Sequence, residues 1–303
     1  MLQEHEKRTS VPAGGVLGHD RHMQVAARFV AVDALHDKAA TFFRVRSPRC
    51  LSSSWQAVPV ETDRFLALLR TDGDLLAATA ARGLDAEVPP CPGWRVRDVV
   101  THTAEVYEHK LACIELRAKP QPWPPVWPAD RDPLAWLADA HGRLLAVLGS
   151  TNPSTPAYTW WPEDQTVGFW ARRMAQETAV HRVDAQSAFD AIMPVDAELA
   201  VDGVDEVLTR MLAGDWSDEP VERVGGGERI EVMPGGQRWL VTIQPDSVEV
   251  GDHDGAAVDG TVSGAPSDVL LWLWGRVGDQ AVDLGGDLAA IRLLRERLAR
   301  ATD

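Results

Sequence analysis

The sequence contains little cysteine: three residues in 303, at Cys50, Cys91 and Cys113. An odd number without any Cys-x-x-Cys spacing excludes a disulfide framework and a zinc site made only of thiolates. Few thiols with irregular spacing are typical of a reducing compartment, so we expect a cytoplasmic location. Cys91, before a Pro-Gly turn, is a candidate nucleophile, although a structural thiol is the more common outcome.

Long apolar runs and basic clusters are missing as well. No stretch of 18 apolar residues occurs, and the first apolar segment begins too late for a signal peptide and is broken by Asp33. The formal net charge is −15; residues 1–57 are slightly basic, and the remainder carries about −18. Such a surface repels phosphate backbones, so we expect neither nucleic acid nor a membrane as a partner.

Several signatures of enzyme classes are absent from the sequence. It lacks HExxH, GxSxG, a Walker A loop and a GxGxxG segment after a strand. These absences remove support for a zincin, an α/β-hydrolase, a nucleotide triphosphatase and a Rossmann dehydrogenase.

The first half of the sequence has a helical pattern. Residues 1–57 show no sustained period and are expected to be a disordered extension, with at most a weak helix at Val25–Leu35. Apolar residues then recur at helical spacing over 63–82, 95–117, 133–148 and 166–190. Proline- and tryptophan-rich segments separate these four stretches. The pattern predicts a four-helix bundle over 58–193 whose long connections cap a site.

The character of the sequence changes after Met193 and Pro194. A helix over 197–213 is followed by short extended segments separated by turn residues, a buried apolar helix and a final amphipathic helix over 288–300. Residues 194–303 are therefore predicted to form a smaller α+β domain.

The fourth predicted helix carries a carboxylate and an imidazole one turn apart, Glu177 and His181, with Thr166 as the predicted N-cap. Residues four apart share a helix face, so both can bind one metal ion. His102, in the apolar stripe of the second helix, is the candidate third ligand, and Glu105 and His109 are rivals. Exposed Glu/His pairs and core histidines are common without a metal. Three nitrogen or oxygen ligands would leave one position of a tetrahedral zinc open, as in catalytic sites.

Three segments resemble one known family. They are CPGWRVRDVVTH (91–102), FWARRMAQETAVHRVDA (169–185) and TVSGAPSDVLLWLWGR (261–276). The sequence resembles the mycothiol-dependent maleylpyruvate isomerase family over about 60–303. The resemblance implies a DinB-like metal-binding four-helix bundle followed by an α+β domain similar to sterol carrier proteins. It also implies that His102, Glu177 and His181 match the three zinc ligands of the family.

The resemblance implies a reaction too. Zinc would bind the thiol of mycothiol and lower its pKa. The thiolate would add to an activated cis double bond of an electrophilic small molecule, the resulting single bond would rotate, and elimination of the thiolate would give the trans product. Arg276 is the candidate cation that stabilises the oxyanion, with Arg172 and Arg173 as alternatives. Thiol S-transfer by the same centre is an equal possibility. A non-catalytic metal- or ligand-binding protein and a metal-water hydrolase are the other hypotheses.

Overall fold

The computed structural model describes residues 60–125, 127, 130–213 and 225–302. The predicted disordered extension, with its weak helix at Val25–Leu35, lies outside these residues, and so does Cys50. None of the described helices is both long enough and apolar enough to cross a membrane.

Four helices form the N-terminal part of the described chain, and their bounds lie within a few residues of the predicted ones. They are α1 Thr62–Ala80, α2 Val96–Leu116, α3 Pro133–Ser150 and α4 Val167–Ser187. Side chains fix several of their starts. The Asp98 carboxylate accepts the Arg95 amide at 2.7 Å, the Asp132 carboxylate accepts the Ala135 amide at 2.7 Å, and Thr166 caps α4 as predicted.

The helices pack as a bundle in which α4 lies against α1 and α2. Its sequence predicts an amphipathic helix, but 18 of its 21 residues are buried. The reason is that the second half of the chain covers the face that the bundle leaves open. Helix α4 is therefore the central element of the molecule.

The second half combines helices with one mixed sheet. Its elements are α5 Ala197–Glu206, which continues as a π-helical turn over Val207–Leu212, then β1 Glu228–Pro234, β2 Trp239–Ile243, β3 Val248–Gly251, β4 Gly260–Gly264, α6 Pro266–Leu273, a short 3₁₀ turn at Asp279–Ala281, β5 Asp283–Gly286 and α7 Leu288–Thr302. The five strands lie in the order β3-β2-β1-β4-β5, with β1 and β4 parallel and the other neighbours antiparallel.

Apolar side chains of β1, β2 and β4 form the core of this part, with α6 and α7 packed against the sheet. They include Ile230, Val232, Val241, Ile243 and Val262, all fully buried. The predicted architecture, a four-helix bundle followed by a smaller α+β domain, is confirmed.

Charged side chains join α4 to α5 across the boundary between the two parts. Arg172 Nε lies 2.8 Å from Asp202 Oδ2, and its Nη2 lies 2.9 Å from Asp205 Oδ2. Arg173 Nη1 lies 2.9 Å from Glu206 Oε2. These contacts hold the α+β domain against the helix that carries Glu177 and His181.

Candidate metal centre

Helices α2 and α4 bring three buried side chains together inside the bundle. His102 comes from α2, and Glu177 and His181 come from consecutive turns of α4. Glu177 Oε1 lies 3.4 Å from His102 Nε2 and 3.1 Å from His181 Nε2. One ligand atom from each residue lies within 4.8 Å of the other two. We call these three residues the ligand triad.

The spacing of the triad fits a divalent metal ion. Ligands bound to tetrahedral zinc at about 2.0–2.2 Å lie roughly 3.3 Å from one another. The two triad distances, 3.1 and 3.4 Å, bracket that value. Two imidazole nitrogens and a carboxylate oxygen are also a donor set that zinc and related ions accept. The residues therefore fit the group that the resemblance implies.

A buried arginine orients the carboxylate of the triad. Arg173 donates from Nη2 to Glu177 Oε2, which leaves Oε1 directed at the two imidazoles. Burial alone would raise the pKa of Glu177, but Arg173 and the two histidines hold it well below its usual range. Glu177 is therefore an anion, the form that binds a metal.

The two histidines of the triad differ in their surroundings. Burial lowers the pKa of His102, which favours the neutral imidazole that ligates metals. Burial would also lower the pKa of His181, but the carboxylates of Glu177 and Asp184 raise it to about 9. Without a metal, a proton on His181 therefore balances the two neighbouring carboxylates, and a bound cation would replace it.

Asp184 lies behind His181 on the next turn of α4. Its Oδ2 is 3.0 Å from His181 Nδ1, and its Oδ1 accepts from Arg276 Nε at 2.9 Å. Burial would raise the pKa of Asp184, yet Arg276 and His181 lower it to about 2. A carboxylate behind a ligating histidine fixes which ring nitrogen faces the metal.

The structure separates the rival residues from the triad. Among the described residues, the one group of three or more potential ligands is the triad, and neither Glu105 nor His109 belongs to it. His109 instead approaches the Lys110 ammonium at 3.1 Å. The Cys91 thiol is half-buried, 3.7 Å from Arg276 Nη2. Arg172 pairs with α5, whereas Arg173 contacts Glu177 directly.

A cleft opens beside Glu177, between the bundle and the α+β domain. Its cavity volume is about 40 Å³. Its charged lining is Lys110, Arg173 and Glu177, and its other lining side chains are mainly apolar, among them Trp160 and Trp274. Lys110 lies 4.7 Å above the ring of Trp170. The lining, mostly apolar with a few charged groups, has the composition of a small-molecule site.

Sequence reasoning missed two residues of this site. Asp184 follows His181 by three positions, so its place on the same face of α4 was readable from the helical period. Lys110 follows His102 by eight positions, and no pattern distinguished it from a surface lysine.

Fold and site together define a two-domain protein with a candidate metal centre in a helical bundle, at the edge of an inter-domain cleft. The profile of the mycothiol maleylpyruvate isomerase N-terminal domain matches residues 65–186, and the profile of the C-terminal domain of that family matches residues 198–292. The chain belongs to the mycothiol-dependent maleylpyruvate isomerase family. The predicted family and enzyme class are thereby confirmed. No curated protein matches the chain in sequence.

Solved structures show the same fold. A crystal structure of a mycothiol-dependent maleylpyruvate isomerase is 15% identical, with a TM-score of 0.52, and a crystal structure of a point mutant of such an enzyme is 14% identical, with a TM-score of 0.53. Each alignment covers 76% of this chain and 95% of the other chain. At this identity the likeness concerns the fold alone.

Proposed function

We propose that the chain is a metal-dependent enzyme that uses the thiol of mycothiol against an electrophilic small molecule, in a maleylpyruvate-type cis-trans isomerisation or a thiol S-transfer. The observation that carries the proposal is the buried ligand triad beside a cleft between the two domains. Membership of the family supports mycothiol as the thiol. A cytoplasmic location is part of the same proposal.

The metal would be held by His102, Glu177 and His181. Three protein ligands leave a position for an exogenous ligand, as in catalytic rather than structural zinc sites. When bound, a divalent ion lowers the pKa of a ligating thiol, which makes a thiolate available at neutral pH. Zinc is our first candidate because of the family, although this donor set suits several divalent ions.

Residues around the triad prepare it for this role. Arg173 keeps Glu177 ionised and turned towards the histidines, and Asp184 holds the ring of His181 from behind. Trp94 stacks on His181 with 6.4 Å between ring centroids and meets His102 edge-on at 5.3 Å. These contacts keep the ligands oriented and limit the access of water.

The charge and the lining of the cleft favour a substrate with an acidic group. The ammonium of Lys110 lies along it and attracts an anion, whereas Arg173, which also lines it, is paired with Glu177 and Glu206. Trp160 and Trp274 form part of its apolar wall. An oxyanion that develops during thiolate addition would be stabilised by a nearby cation. Arg276 is the cation that the sequence predicts for that role, but it does not line this cleft, and its Nε and Nη2 donate to Asp184. Of the alternatives, Arg173 lines the cleft and Arg172 faces α5.

Elemental analysis tests the metal centre. We expect one divalent ion per chain in the wild type and loss of the ion in each of the variants His102→Ala, Glu177→Ala and His181→Ala. His109→Ala is the matched control, because His109 is a buried histidine of the same helix α2 outside the triad. Retention of metal in all three triad variants would reject the site.

Turnover assays then test the reaction. Maleylpyruvate and a panel of epoxides and halides are offered with and without mycothiol, and the products are identified. An isomer formed only with mycothiol supports isomerisation, and a thioether product supports S-transfer. Turnover without any thiol would instead support metal-water hydrolysis, and a metal-loaded protein without turnover would support a binding function.

A further inference from the structure

A continuous line of buried contacts joins the C-terminal domain to the ligand triad. Arg276 donates from Nε to Asp184 Oδ1 at 2.9 Å and from Nη2 to Asp184 Oδ2 at 3.2 Å. The same Oδ2 lies 3.0 Å from His181 Nδ1. The Asp184 side chain is fully buried and the Arg276 side chain is only 7% exposed. The contact links positions 92 residues apart in sequence.

The backbone after α6 fixes the position of Arg276. The Gly275 amide bonds to the Trp272 carbonyl at 3.0 Å, and the Arg276 amide bonds to the Leu271 carbonyl at 2.8 Å. With Gly275 at a φ of 73°, this is a Schellman motif, which ends the helix in a defined geometry. The Arg276 side chain also donates to the Trp274 carbonyl at 2.6 Å. Its guanidinium is thus held by its own domain while it binds Asp184.

We propose that Arg276 is a positioning residue that acts through Asp184 on His181, so that this one contact from the C-terminal domain sets the affinity of the ligand triad for a divalent metal. The inference rests on the proposed metal centre. A carboxylate that accepts from Nδ1 of a ligating histidine fixes its tautomer and ring orientation. Here that carboxylate is itself fixed by a guanidinium fork from another domain, a geometry that lysine cannot reproduce.

The same helix offers a matched control for domain docking alone. Arg172 also joins α4 to the second half of the chain, through Asp202 and Asp205 at 2.8 and 2.9 Å. Its side-chain hydrogen bonds go to Asp202 and Asp205, and not to Asp184 or a member of the triad. Loss of Arg172 therefore removes an inter-domain ion pair without removing the support of His181.

The test measures metal affinity in the full-length protein by competition with a chromophoric zinc chelator. We expect Asp184→Asn and Arg276→Ala each to weaken zinc binding by about 10- to 100-fold, the range typical of lost outer-shell partners. The double variant is expected to be no weaker than the worse single variant, because both act on one contact chain. Arg276→Lys should fall between wild type and Arg276→Ala, and Arg172→Ala should stay within about twofold of wild type.

A spectrum separates positioning from general loss of structure. In the cobalt-loaded protein, the visible absorption reports ligand geometry, and we expect it to change in Asp184→Asn and Arg276→Ala but not in Arg172→Ala. Thermal melts identify variants that fail to fold. If Arg276→Ala does not fold, Arg276→Lys is measured in its place. A zinc affinity and a cobalt spectrum of Arg276→Lys that equal those of the wild type would overturn the inference.

Two further outcomes also count against it. An equal loss of affinity in Arg172→Ala would show that docking in general, rather than Arg276, controls the metal. Unchanged affinity in Asp184→Asn and Arg276→Ala would overturn the inference and leave the proposed function intact. A wild type that binds neither zinc nor cobalt would overturn the proposed metal centre and, with it, this inference.

Discussion

Helices α4 and α7 are held in place by different interactions. Helix α7 buries one face, which is apolar except for Arg297 and Thr302. Helix α4 is buried on almost every side, and eight of its buried residues are polar or charged. Apolar burial needs no particular partner, whereas each buried polar group needs a hydrogen-bond or ionic partner nearby. The apolar pattern of α7 is therefore enough to position it. The position of α4 also depends on polar partners that lie far away in sequence.

The charged groups buried in α4 find those partners on several other elements. Arg182 pairs with a carboxylate on α1, Arg173 with one on α5, and Asp184 with an arginine that follows α6. Burying these charged groups costs desolvation free energy, but once every group has its partner the network makes the helix rigid. Such rigidity is what a metal centre requires, because the ligands must keep their positions.

Of the variants that distinguish the two helices, we expect Arg182→Ala to cause the largest loss of stability. Arg182 Nε lies 2.9 Å from Asp72 Oδ1, with both side chains almost fully buried, and the same guanidinium bonds to the carbonyls of Met193 and Pro194. Its removal leaves the carboxylate of Asp72 buried without this cation, so we expect a loss of about 4 kcal/mol in unfolding free energy, measured by urea denaturation.

The double variant Asp72→Leu with Arg182→Met is the control for this prediction. It removes both charges and fills the space with apolar atoms, so we expect it to recover a good part of the lost stability. A loss below about 1 kcal/mol in Arg182→Ala would show that α4, like α7, is held mainly by apolar contacts.

In α7, the corresponding experiment is Leu294→Ala. Leu294 is fully buried, and its truncation leaves a cavity that costs about 3 kcal/mol. The neighbouring Leu293, which is partly exposed, is the matched control, and Leu293→Ala should cost clearly less. Zinc affinity, measured on the folded protein, should be unchanged in both variants. A change in affinity would mean that α7 also supports the triad.

The contrast between the helices explains what the sequence could predict. Helix and strand bounds followed from apolar periodicity and turn residues, and α7 was predicted at Leu288–Arg300 against an observed end at Thr302. The three triad residues share helix faces, which spacing can show. The burial of α4 on all sides could not be predicted, because the partners of its charges, among them Asp72 and Arg276, lie about 90 to 110 residues away in sequence.

A pH titration should also distinguish the two helices in the metal-free protein. The pKa of His181 is raised to about 9, from an ordinary value of 6.5, by the carboxylates of Glu177 and Asp184. Protonated His181 therefore stabilises the fold below pH 6.5, and this contribution is lost as the pH rises through 9. We expect a decrease of about 2 kcal/mol in unfolding free energy between pH 7 and 9.5.

Two comparisons check the origin of that decrease. His181→Gln should remove most of it, and Leu294→Ala should lower the whole curve without changing its slope. Saturating zinc should suppress it as well, because metal binding requires the neutral imidazole. If the unfolding free energy of His181→Gln still decreases between pH 7 and 9.5, another group is responsible for the titration.

The smallest expected difference lies at the helix starts, where the two helices are alike. Thr166 Oγ1 accepts the Phe169 amide at 3.4 Å to cap α4, and Asp287 Oδ1 accepts the Ala289 amide at 2.7 Å to cap α7. Thr166→Ala and Asp287→Ala should each cost about 1 kcal/mol in urea denaturation, as lost N-caps usually do.

We expect the larger cost for Asp287, because its hydrogen bond is shorter and its negative charge also meets the positive end of the helix dipole. Equal costs in the two variants would show that charge at the cap adds little. A loss well above 1 kcal/mol for Thr166→Ala alone would mean that the buried polar contacts of α4 depend on how the helix begins, a dependence that α7 does not share.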